Sequence, residues 1–120
     1  WNLEGYRRLI LSGGVDVVQL DPGRCQGLTG ALQVIKLVEA ENLQYSLHTW
    51  SSALNTAASV HLMAISRQGR CMDFKPHESP MQHELVTDPW VQEDGFLEVR
   101  QKPGLGVEVV EDVVKKYWFK

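Results

Sequence analysis

The stretch VDVVQLDPGRCQGLTGALQVIKLVEAENLQYSLH, residues 15–48, decides the fold. It opens on a short valine-rich run, Val15 to Leu20, of the kind that forms a strand covered on both faces in a parallel sheet. The run stops at Asp21-Pro22-Gly23, a turn sequence. Thr29 can then cap a helix running to about Glu41, with Leu32, Ile35 and Val38 on one stripe and Val34 and Leu37 widening it. A second strand-like run, residues 43–48, follows and ends at His48. Strand, helix and strand in so short a span call for parallel pairing through a right-handed crossover.

Upstream, Leu3, Tyr6 and Ile10 recur at helical spacing, and Gly13-Gly14 supplies a flexible stop. Downstream, Ser51 or Ser52 can cap a third helix. Its Ala53, Ala57, Val60 and Ala64 form a small-residue face, and Leu54, Ala58 and Ile65 make it broadly apolar. After Gly69, residues 70–74 predict a third short strand that ends near Asp73 and is broken by Pro76. The expected fold is α/β: a partial (β/α) barrel of about three parallel strand-helix units over residues 1–75, followed by a return segment over residues 76–120. In that segment VQEDGFLEV, residues 91–99, predicts a β-hairpin about Asp94-Gly95. KPGLGVE reads as a loop, and residues 110–118 as a last helix with Val113, Val114 and Tyr117 on one face.

A chain of 120 residues forms at most one domain, and 43% apolar with 22% charged residues is ordinary globular composition. A net charge of −3 argues against a nucleic-acid partner, since affinity for phosphates comes from lysine and arginine. No apolar run approaches the ~20 residues of a bilayer span, and the opening residues lack the plan of a signal peptide. The expectation is a cytoplasmic protein with no membrane partner. Cys25 and Cys71 stand far apart in sequence and predict two reduced thiols. His77 and His83 lack zinc-helix spacing, and Gly104 and Gly106 do not open a helix after a strand, so neither a metal site nor a nucleotide loop is expected in this chain.

From Asp21 to His48 is 27 positions and from His48 to Asp73 is 25. Two units of nearly equal length therefore bring three titratable side chains to the carboxyl edge of adjacent strands, where α/β proteins do their chemistry. His48 either bonds a loop carbonyl or serves as a base; Asp21 at the neighbouring strand end can accept its Nδ1 proton and turn Nε2 toward the cleft. Asp-Pro-Gly is also ordinary turn chemistry. Asp73 sits in an apolar strand, where a carboxyl group has to be paired, protonated or functional. Arg24 either meets an anionic substrate or lies on a solvent-facing loop. His61, within the third helix, reads as structural. Thr49 and Ser51, flanking the end of the second strand, are further candidates for substrate contact.

Residues 17–64, together with CMDFKP at 71–76 and DGFLEVRQKPGLGVE at 94–108, resemble the C-terminal part of the mandelate racemase group of the enolase superfamily. The resemblance implies the last three strands of a (β/α)7β barrel. It implies an enzyme that takes a proton from the carbon α to a carboxylate, such as an acid-sugar dehydratase or racemase. By position His48 corresponds to the general base or acid, Asp21 to its partner, and Asp73 to the acid that bonds the substrate carboxylate. The group usually has glutamate where Asp73 stands, and Gly-Gly where Gln26-Gly27 stands. Mg²⁺ is implied for a complete enzyme, with its ligands and a lysine base on strands this chain lacks. The isolated chain is expected to be inactive. Three strands from a barrel leave unpaired edges, so the alternative is a noncatalytic, self-associating module, and a homo-oligomer is expected.

Overall fold

A computed structural model describes residues 1–75 and 77–119; Pro76, expected to break the third strand, lies outside the described residues. The chain runs α1 (Leu3–Leu11), β1 (Val17–Leu20), α2 (Gly27–Ala40), β2 (Gln44–His48), α3 (Ala53–Ala64), β3 (Gly69–Asp73), α4 (Pro80–His83) and α5 (Glu111–Lys116). The three strands form one parallel sheet in the order β1-β2-β3. Successive right-handed crossovers in one direction place the connecting helices on one side. Register pairs Gln19 with Ser46 and Leu20 with Leu47, then Ser46 with Cys71, Leu47 with Met72 and His48 with Asp73.

That register sorts the sheet by parity. Val18, Leu20, Tyr45 and Leu47 join Ala31, Val34, Ile35, Val38 and Leu62 in the main core under the helices. The other face carries Gln19, Ser46 and Cys71, and one step further along each strand, Asp21, His48 and Asp73. Because the helices cover only one face, Gln19 is exposed, and the two-sided burial expected of the first strand holds only for the central strand β2. The radius of gyration is 15.1 Å, above the roughly 14 Å of a compact domain of this length, as an open wedge requires.

Two local expectations change. Thr29 is not the cap of α2. The helix starts earlier, at Gly27, because Gln26 and Gly27 both take left-handed backbone conformations (φ 68° and 74°) that swing the chain into the helix before Thr29 is reached. The hairpin at Asp94-Gly95 shrinks to one antiparallel bridge, Glu93 with Phe96; no neighbouring strand extends it among the described residues. The return segment instead packs on α3: Trp90 is buried against Ala57 and Val60, with Leu97, Val99, Leu105 and Val107 around it. Gln82 of α4, which sequence reading did not anticipate, exchanges hydrogen bonds with Thr56 in the same region. No described helix is long and apolar enough to cross a membrane.

Burial pushes the Cys25 thiol and the Tyr6 hydroxyl up from 9.0 and 10.0, helped by the Asp21 charge, and burial raises Tyr45 as well. These groups ionise first in the unfolded chain. Their stabilisation is therefore complete below about pH 9 and is lost as pH rises through their elevated folded values. Urea unfolding followed from pH 8 to pH 11 should show a falling midpoint, and Cys25→Ala should flatten the onset of that fall.

Candidate active site

Leu20 ends β1, and Asp21 turns its carboxylate back over the sheet. Oδ1 accepts the Gly23 backbone N–H at 2.8 Å, closing an Asx turn, while Oδ2 lies 2.9 Å from His48 Nδ1. Asp21 thus makes the turn contact through one oxygen and the imidazole contact through the other. The carboxylate is 7% exposed and the imidazole 28%, so the pair is sheltered yet reachable. Asp21 accepts at Oδ2 and His48 Nδ1 is therefore the donor, which leaves Nε2 as the nitrogen able to take a proton. Among the described residues no hydrogen bond engages Nε2. His48 and Asp21 border a depression of about 270 Å³ with Trp1, Tyr6, Gln19 and Arg24.

Arg24 places Nε 3.5 Å from Asp21 Oδ2 and its guanidinium 4.9 Å from the Trp1 ring, so it is held at the rim of this depression. Asp73 pairs in register with His48 but makes its side-chain contact through Trp50, whose Nε1 donates to Asp73 Oδ1 at 3.2 Å. The Trp50 indole also stacks on His48, 6.2 Å between ring centroids and 25° between planes. Asp73 is half-buried and paired, because β3 is an edge strand open on one side.

Thr49 does not reach the open edge. It is fully buried, and its hydroxyl donates to the Asp73 carbonyl at 2.9 Å, tying the ends of β2 and β3 together. Ser51 is exposed on the loop, and Ser52 caps α3, its hydroxyl accepting the Asn55 N–H. His61 of α3 meets the Leu105 carbonyl of the return segment, and His83 meets the Ser79 backbone within that segment. Among the described residues no group of three or more His, Cys, Asp and Glu side chains is placed to hold a metal ion.

Two site residues escaped sequence reading. Trp50, two residues after His48, was visible as an aromatic in a polar loop. Asn55 was visible only as a lone amide in an otherwise small and apolar helix.

The model of the enolase C-terminal domain-like family matches residues 1–113. The chain belongs to that family. This enolase C-terminal domain-like chain is 32% identical over 109 residues to D-gluconate dehydratase of Thermoproteus tenax, covering 90% of this chain and 22% of that protein. It superposes on the 3,6-anhydro-D-galactonate cycloisomerase of Zobellia galactanivorans with a TM-score of 0.88 at 31% identity, covering 98% of this chain and 33% of that one. A mandelate racemase/muconate lactonizing enzyme-like protein of Rubrobacter xylanophilus shares the fold, with a TM-score of 0.85 at 24% identity, over 100% of this chain and 31% of that one. The chain thus spans between about a fifth and a third of these relatives and corresponds to the C-terminal segment of their barrel domain.

Proposed function

We propose that the chain is the C-terminal part of a magnesium-dependent acid-sugar dehydratase or racemase, in which His48 moves the proton α to a substrate carboxylate. The observation that carries this is the 2.9 Å contact between Asp21 Oδ2 and His48 Nδ1, made at the carboxyl edge of the sheet. Asp21 fixes the tautomer, Nε2 takes or delivers the proton, and Trp50 forms a wall beside it. Asp73 stands where the carboxylate of the substrate would be met, its side chain shorter by a methylene than the glutamate usual in the group. Arg24, at the rim, supplies positive charge toward an anionic substrate. Relatives that are a dehydratase and a cycloisomerase of acid sugars favour a small polyhydroxy carboxylate.

In this reading the ion is held by other parts of a complete enzyme, and this chain contributes a proton step. Charge stabilisation is usually the largest catalytic term, so the chain alone should not turn over. The test is a complete protein carrying this segment, incubated with magnesium and a panel of aldonic and aldaric acids in D2O. Deuterium entering the α carbon, or loss of the α proton together with the hydroxyl of the neighbouring carbon as water, in a His48-dependent manner supports the reading. Exchange independent of His48 overturns it.

The second reading, a self-associating module without catalysis, is favoured by a different observation. The outer edges of β1 and β3 are unpaired in the described sheet, and Phe96, Trp118 and Phe119 are 77%, 71% and 95% exposed. Such edges and aromatics invite association. Sedimentation of the chain should show a dimer or larger species, and a folded monomer at micromolar concentration would exclude this reading.

A further inference from the structure

Asn55 lies at the third position of α3 and is 7% exposed. A polar side chain there ordinarily reaches back to the cap of its own helix. This one does not. Its Oδ1 accepts the Gly23 backbone N–H at 2.9 Å, and its Nδ2 donates to Asp21 Oδ1 at 3.0 Å and to the His48 carbonyl at 3.3 Å. The amide orientation is unambiguous, because Gly23 N–H can only donate, while the carboxylate and the carbonyl can only accept. One side chain therefore joins the loop after β1, the end of β2 and the start of α3. Asparagine is a poor helix former and gives α3 nothing in return.

The junction has no slack. A Cβ on Gly23 would lie 3.1 Å from Asn55 Oδ1 and 3.2 Å from Asp21 Oδ1. Asp21 Oδ1 is thus held from two sides, by Gly23 N–H and by Asn55 Nδ2, and Oδ2 is the oxygen left for His48.

We propose that Asn55 is a positioning residue for the proton step: it pins the Asp21 carboxylate so that Oδ2 faces His48 Nδ1, and thereby keeps the proton off Nε2. This rests on the function proposed above for His48, and it extends that site to a residue that makes no hydrogen bond to the imidazole ring. Without the amide, the Gly23 N–H alone holds Oδ1, and the carboxylate can turn toward Arg24, whose Nε is already 3.5 Å from Oδ2. His48 then loses its acceptor, and the tautomer with hydrogen on Nε2, which cannot accept a proton, becomes populated.

The experiment uses the full chain with ¹⁵N-labelled histidine and long-range proton–nitrogen correlation, recorded above the titration of the imidazole. The unsubstituted chain should show His48 with its proton on Nδ1. In Asn55→Ala, and in the isosteric Asn55→Asp, which faces Asp21 with a second carboxylate, the ratio of the two tautomers should fall about tenfold, the scale of one hydrogen bond to a charged group. An unchanged ratio in either folded variant overturns the proposal. Should both variants unfold, the unsubstituted chain still decides. The Asn55 side-chain amide protons should exchange slowly and shift as His48 titrates, and fast exchange with no response overturns it. Because neither readout needs turnover, failure of the His48 exchange assay would end the catalytic reading without altering this result.

Discussion

On the function proposed above, His48→Asn should lower α-proton exchange in a complete protein carrying this segment by roughly 10²–10⁴-fold, the usual contribution of a positioned general acid or base. That corresponds to about 3 to 5 kcal/mol of transition-state stabilisation. The substitution is chosen for what it keeps. The introduced side-chain amide can still donate to Asp21 Oδ2, so the buried carboxylate at 7% exposure is not left unpaired, and the fold should be retained. What disappears is the nitrogen able to take a proton. Exchange followed by proton NMR in D2O, with KM measured alongside, separates the two effects: kcat should fall while KM changes little. Equal exchange rates in the two proteins would remove His48 from the mechanism.

Gly30→Ala should cause the largest loss of stability of any glycine-to-alanine change among the described residues, since its added Cβ meets the shortest contact. In an ordinary helix interior this change stabilises by about 1 kcal/mol. Here Gly30 is buried in α2, and an added Cβ would sit 1.8 Å from the Cys25 carbonyl oxygen and 2.9 Å from the Gln26 Cβ. The obstacle is backbone, which cannot swing aside as a side-chain tip can, so the loop from Asp21 to Gln26 has to move. Overpacking of this kind costs about 1–3 kcal/mol or more, enough to reverse the helix preference. Thermal unfolding should show a midpoint lowered by roughly 10 °C. The same displacement drags Asp21, because the Cys25 N–H donates to the Asp21 carbonyl at 2.9 Å. A midpoint equal to or above that of the unsubstituted chain would show that the helix and loop are not in contact as described.

The two predictions probe the same loop from its two ends, and they explain why this region was only partly legible in sequence. The Asp-Pro-Gly turn and the later glycines announced a tight connection. They did not announce that Gln26, a residue with a side chain, would adopt φ 68°, or that α2 would start before the available threonine cap. Helix starts respond to where the incoming chain points, and that direction is set by packing of Cys25 and Gly30 rather than by the capping residue. The hairpin at Asp94-Gly95 failed for a related reason. The dipeptide does form its tight turn, but strands need partners, and the return segment found its partner in the apolar face of α3 instead.

Residue types and spacing alone determined the strand-helix-strand order, the parallel sheet and the placing of Asp21, His48 and Asp73 at one edge. These follow from side-chain periodicity and chain length, which are local and cumulative properties of a sequence. Only the tertiary structure decided how the edge is wired: Asp21 divided between a turn and an imidazole, Asp73 engaged by Trp50, Thr49 withdrawn into the interior, and Asn55 holding Asp21 from 34 residues away. Hydrogen bonds depend on tenths of an ångström and on direction, and the packing of α2 and α3 on the sheet sets both.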